Sequence, residues 1–271
     1  MDLLFFKIAL FAYFLSTAGY TISLLAKRVL PARLSAWIFL SAFLLHTVSL
    51  LFRGVDAGLN PAANLHEALS FFAWAVSGIY LFIQSKTKTK VLGAFVAPVS
   101  FLLMLAAAGG LGASLAVPSV LKGSLVTLHI VLSIIGEALF ALAGCAGVVY
   151  LIQDTFIKHR KMTGFSRILP SLGDLDRINH LCLLLGFPLL TLGVIAGSIW
   201  AGTVWGSHWN WDPKQVFTLI AWLSYAVLLH QRLAIGWSGR KAALLSIAAF
   251  LVILFTLIGV NVMFTTSHSF V

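Results

Sequence analysis

Eight apolar stretches, at residues 3–25, 35–52, 64–84, 91–109, 124–152, 178–200, 214–235 and 242–264, occupy most of this chain. A helix needs about 20 mostly apolar residues to cross the hydrocarbon of a bilayer, and each stretch meets that length or comes close to it. Backbone polar groups go unpaired in lipid unless a helix or a closed barrel satisfies them. No strand-like alternation runs through the sequence, so the expected fold is all-α, a single integral membrane domain over residues 1–271 with eight transmembrane helices. Sixty per cent hydrophobic and ten per cent charged residues exclude an ordinary soluble domain.

The net charge of +10 would suggest nucleic acid in a soluble protein. Here the basic residues sit in short clusters between apolar stretches, as topology signals do, so no nucleic-acid partner is expected. With the N-terminus outside, the inner loops carry fourteen of them: Lys27, Arg28, Arg33, Lys86, Lys88, Lys90, Lys158, Arg160, Lys161, Arg167, Arg177, Arg232, Arg240 and Lys241. The outer loops carry three, Arg53, Lys122 and Lys214. This asymmetry puts both termini on the outer side, the periplasmic side of a bacterial inner membrane. The apolar run directly after Met1-Asp2 has no basic flank or cleavage pattern and reads as a retained first span. Cys145 and Cys182 lie inside apolar stretches without a Cys-x-x-Cys pairing, so both read as buried small hydrophobes.

This topology places four of the eight histidines, His66, His129, His208 and His268, at the outer side. The outer segment 201–213 is the most unusual part of the chain. Together with Trp200 it packs four tryptophans, Trp200, Trp205, Trp209 and Trp211, into twelve residues, with Gly206, Asp212 and Pro213 beside them. A single Trp there would be an interfacial belt residue. Four in one connection form an apolar platform whose indole faces suit a large planar ligand, with a conjugated macrocycle the natural candidate.

A porphyrin iron needs axial ligands, and neutral imidazole is the commonest protein donor. His129 and His268 lie on either side of the platform in sequence and are the expected axial pair for haem b; His208, in the loop itself, is a third candidate. Asp212 is open between capping the helix that follows Pro213 and a chemical role. Within the spans, where an ionisable residue is costly, His46 is open between a ligand and a helix–helix hydrogen bond. Glu137 is open between pairing with a histidine and packing, and His230 between a functional role within the membrane and an interfacial cap.

Trp205-Gly-x-x-Trp209-x-Trp211-Asp212-Pro213 resembles the tryptophan-rich signature of the cytochrome c assembly proteins. The likeness extends to Asn64-Leu65-His66-Glu67 with Phe71-Phe72-Ala73-Trp74, to the stretch from His129 through Gly136-Glu137 to Gln153, to Leu175-Asp176-Arg177, and to His268-Ser-Phe. It covers most of the chain, best from residue 124 onward, and points to the CcsA (ResC) type of the System II cytochrome c synthase. Eight spans fit that type better than the six-span protein of System I. Two positions depart from the pattern: Gln215 where many relatives carry Glu, and His66 where Tyr is usual.

The resemblance implies that haem enters through membrane histidines, one of them at His230, and is presented at the outer platform between His129 and His268. Trp205, Gly206, Trp209, Trp211 and Asp212 would form the haem-binding signature. There haem is joined to the Cys-x-x-Cys-His thiols of apocytochrome c, and a CcsB (ResB) type membrane partner supplies the second inner histidine. The expected function is thus that of the haem-delivering subunit of a holocytochrome c synthase, a haem lyase complex. A haem exporter or carrier without ligation activity is the main rival. An ion or small-molecule transporter would need polar residues staged through the midplane, where the spans offer little beyond His46 and Glu137.

Overall fold

The computed structural model describes residues 1–57, 64–87, 90–110, 121, 123–160, 166 and 168–266. Eight helices long and apolar enough to cross a membrane make up nearly all of these residues, and no strand occurs among them. They are α1 (Asp2–Ala26), α2 (Val29–Ala57), α3 (Leu65–Lys86), α4 (Gly93–Ala108, entered through the 3₁₀ turn Lys90–Leu92), α5 (Ser124–Lys158), α6 (Leu172–Trp205), α7 (Pro213–Ala234) and α8 (Gly239–Leu254). The last continues through a π-helical turn, Phe255–Gly259, into a final α turn, Val260–Met263. The chain is a multi-pass helical membrane protein.

Local chemistry sets the helix ends. Asn64 caps α3 by accepting from the Glu67 amide at 2.9 Å, and Ser171 caps α6 by accepting from the Asp174 amide at 3.1 Å. Asp212 caps α7 through the Lys214 amide at 2.9 Å, with Pro213 at the first helical position. Gly206 ends α6 in the left-handed conformation, φ 70°, which costs a glycine nothing.

Several helices outrun their apolar stretches. α5 has 35 residues and α6 has 34; at 1.5 Å per residue each spans about 50 Å, well beyond the roughly 30 Å hydrocarbon. The polar turns that hydropathy assigns to a loop within 153–177 are held as helix by ion pairs. Asp154 accepts from Lys158 one turn on, at 2.8 Å, and from Arg240 of α8 at 3.1 Å. Asp176, in the added first turns of α6, binds Arg232 of α7. At the other end α6 runs on to Trp205, so the expected loop 201–213 shrinks to Gly206–Asp212, and its first residues form the last turn of a helix.

α5 is the central element, packed along α6, α8 and α3, while α1 pairs with α2 and α4, and α7 lies against α8 and α6. Small residues let α5 and α6 approach closely. A Cβ on Gly136 would stand 2.8 Å from the Leu190 amide nitrogen, and one on Gly193 would stand 2.4 Å from Ser133 Oγ. Phe140 of α5 stacks flat on Tyr225 of α7, with ring centroids 3.5 Å apart at 7°. On the α2–α3 side, Trp74 stacks on Phe43 and Phe71 and donates to Thr47 Oγ1 at 2.8 Å. The Phe71-to-Trp74 part of the sequence pattern is therefore core packing.

Candidate functional site

Where α3, α5 and α7 begin and α6 and α8 end, the helices enclose a cavity of about 270 Å³. Its wall includes His129, Glu137, Trp200, His208, Trp209 and Lys214. Apolar side chains supply most of the remainder, and Asn64, Gln215 and Asn261 add amide groups. The π-helical turn of α8 delivers Leu257 and Asn261 to it; such turns recur at functional sites because they rotate the following residues off the regular helical face.

His129 lies on the second turn of α5, and its Nδ1 lies 2.7 Å from the carbonyl oxygen of Gly193 on α6. A carbonyl only accepts, so Nδ1 carries the ring proton and Nε2 keeps its lone pair. This is the tautomer and the orienting hydrogen bond expected of a metal-binding imidazole. The ring rests on Gly197, where a Cβ would come within 2.5 Å of Nδ1. His208 is built the same way: its Nδ1 donates to the Ser198 carbonyl at 2.9 Å and its ring lies on Gly202.

The four tryptophans form two edge-to-face pairs. Trp200 is buried and meets Trp205 at 5.2 Å and 69°, while Trp209, in the wall, meets Trp211 at 5.5 Å and 85°. Trp211 adopts φ 55° and is 76% exposed. A bulky residue in the left-handed region is strained, and that strain is characteristic of functional sites. Asp212 is buried, and its Oδ1 accepts from the Lys214 amide in the cap described above, which is the capping half of its open reading.

The described ones among the remaining predicted residues lie elsewhere. His268 falls outside the described residues. His230 is exposed on the outer face of α7, far along the helix from the cavity, and makes no hydrogen bond among the described residues. Two residues on, Arg232 is buried and binds Asp176 at 3.0 Å, Asn179 at 3.1 Å and His180 Nδ1 at 3.2 Å. His180 Nδ1 accepts there, so its proton sits on Nε2 and neither nitrogen offers a lone pair. His46 is fully buried, bonded through Nε2 to Ser70 Oγ at 3.0 Å and edged by Phe6 and Tyr13, which makes it a helix–helix tie. His66 points to α4, with Nδ1 3.2 Å from the Ala106 carbonyl, although its neighbours Asn64, Leu65 and Ala68 line the cavity.

Sequence reasoning missed the α6 wall. Gly193, Gly197, Ser198 and Gly202 hold both imidazoles, and the only signal was glycines at helical spacing. It also counted Lys214 as a topology signal, whereas the residue lines the cavity.

The fold and the site together define the class: a multi-pass helical membrane protein with two imidazoles and two indoles lining one cavity. Residues 62–268 match the family described as "Cytochrome C assembly protein". The chain is 36% identical over 235 residues to the cytochrome c biogenesis protein CcsA of Chlamydomonas reinhardtii, covering 84% of this chain and 65% of that one. It is 31% identical over 278 residues to CcsA of Pyropia yezoensis, with 88% and 87% coverage, and 32% identical over 250 residues to CcsA of Prochlorococcus marinus (strain MIT 9312), with 84% and 81%. The chain belongs to the cytochrome c assembly protein family, and within it to the CcsA type.

Proposed function

We propose that this chain holds haem, as substrate, in the cavity between α5, α6 and α7 and presents it for thioether attachment to apocytochrome c. The observation that carries the reading is His129, whose Nδ1–H is tied to the Gly193 carbonyl in a wall shared with Trp200 and Trp209. Among the described residues no three His, Cys, Asp or Glu side chains gather to cage a bare metal ion. A ring-held iron needs only axial donors, which suits this set.

The size of the cavity matches the chemistry. About 270 Å³ falls just below the roughly 300 to 1,000 Å³ of ligand pockets, so the cavity takes in only part of a macrocycle. A macrocycle seated there keeps one edge outside, and an exposed vinyl edge is what an incoming thiol requires. Net addition of S–H across the vinyl C=C forms one C–S and one C–H bond and needs no oxidant. The chain's part is orientation: His129, with His268 as the second axial ligand, holds the iron, the indoles hold the ring, and Lys214 faces a propionate.

On the positive-inside asymmetry the cavity end faces the outer side of the bacterial inner membrane. His230 lies toward the opposite, basic end, exposed on α7, and would need a ligand from another chain. A CcsB-type partner fits that requirement, and haem would be taken up there before reaching the cavity. A carrier that delivers haem without ligating it would use the same cavity.

The test is the visible spectrum of the detergent-purified protein co-expressed with the partner, as wild type and as His129→Ala and His268→Ala. A sharp reduced band in the wild type that weakens in His129→Ala supports the reading. A wild-type complex without haem overturns it. Reconstitution with apocytochrome then separates synthase from carrier by whether haem becomes covalently attached.

A further inference from the structure

We propose that His208 is an exchangeable axial ligand of the same haem iron, an inference that rests on the haem reading above. Three observations carry it.

First, His208 is pinned to α6 although it belongs to a loop. Its Nδ1–H donates to the Ser198 carbonyl at 2.9 Å, and Ser198 Oγ donates back to the His208 carbonyl at 3.3 Å. The clasp fixes main chain and ring together, and it puts the proton on Nδ1, leaving Nε2 as the donor atom for a metal.

Second, His129 and His208 are seated by the same device repeated along one helix. Each bonds a carbonyl of α6, at 193 and at 198, and each lies on the glycine four residues further on, Gly197 and Gly202. A Cβ on Gly202 would come within 2.5 Å of His208 Cε1, as one on Gly197 would come within 2.5 Å of His129 Nδ1. Either addition pushes its ring off the wall.

Third, the helical repeat sets the two seats at opposite edges of one surface. At about 100° per residue, a five-residue step rotates by roughly 140° around α6. Of the five α6 residues that line the cavity, Val194, Gly197, Ser198 and Ala201 fall within the arc between the two seats, and Trp200 lies just beyond its His129 edge. The imidazoles therefore flank the cavity from either side.

The chemistry has a use for a third imidazole. The histidine of an apocytochrome Cys-x-x-Cys-His segment must replace one axial ligand before the product departs, a swap of nitrogen donors with no change in iron oxidation state. A ligand held on a loop by two hydrogen bonds can leave and return without moving a helix.

The experiment uses the haem-loaded complex with its partner, and compares wild type, His268→Ala, His208→Asn and the double variant by visible absorption and electron paramagnetic resonance. Asn keeps a side-chain N–H for the Ser198 carbonyl and removes the imidazole, so the loop stays clasped. His268→Ala is expected to remain six-coordinate and low-spin. The double variant is expected to turn five-coordinate and high-spin, and added imidazole to restore the low-spin signal. If His268→Ala alone is already high-spin, or if the double variant stays low-spin, His208 is not a ligand, while the haem reading stands. A wild-type complex without haem removes both.

Discussion

His129 on α5 donates its Nδ1 proton to the carbonyl of Gly193 on α6, 2.7 Å away. One hydrogen bond thus does two things: it ties the central helix pair together at the cavity, and it selects the tautomer in which imidazole binds a metal. The ring's other support is the bare backbone at Gly197.

Gly197→Ala should therefore mimic His129→Ala. The added methyl group displaces the ring from its seat, and losing that orientation is expected to weaken haem binding about 10- to 100-fold. Helix propensity favours Ala over Gly by about 1 kcal/mol, so thermal stability in detergent should hold. Haem titration and a melting curve on the same preparation check this; a normal haem affinity would refute the role assigned to Gly197.

Lys214 is the expected anchor for a haem carboxylate. Lys214→Gln should weaken haem binding about tenfold, the worth of one charge-assisted hydrogen bond. The dimethyl ester of haem, which lacks the charges, should bind both proteins alike. An equal loss for haem and its ester would mean that Lys214 serves only to shape the cavity.

Two tryptophans of the signature should respond with opposite signs. Trp200 is buried, and Trp200→Ala should cost roughly 3–5 kcal/mol of stability. Trp211 sits exposed at positive φ, so Trp211→Gly relieves a conformation that costs about 1–3 kcal/mol and should raise the melting temperature while lowering cytochrome c yield. Melting curves and haem-stained cytochrome levels distinguish the two effects.

At the far end, Arg232 and His230 are neighbours with different tasks. Arg232 is buried while Asp176 is 26% exposed, so Asp176→Ala, which takes the carboxylate partner from a buried cation, should cut the yield of folded protein. His230→Ala, at an exposed position, should fold normally and lower haem occupancy when the partner is present. A folding defect in His230→Ala would return that residue to a packing role.

Much of this was legible in the chain. Eight hydrophobic stretches announce eight helices because the cost of unpaired backbone in lipid leaves no alternative. The Asp212-Pro213 pair announces a helix start, because a cap and its first turn lie within three residues of each other. Helix lengths were underestimated at α5 and α6, since a hydropathy pattern stops at Asp154 and Asp176 and cannot see the cationic residues that meet them from α8 and α7. The helix–helix bond of His46 and the cap made by Asp212 became visible only once Ser70 and the Lys214 amide were located.

The sequence by itself determined the class of structure, the family, and which residue types gather near the tryptophan signature, because hydropathy, charge asymmetry and caps act over one or a few helical turns. Only the tertiary structure decided which imidazoles line the cavity with Nδ1 tied to a carbonyl. His129 meets Gly193 64 residues away, and His208 meets Ser198 only because the chain reverses at Gly206. Such pairings depend on how closely two helices can approach, and that follows from the packing of glycines against neighbouring rings.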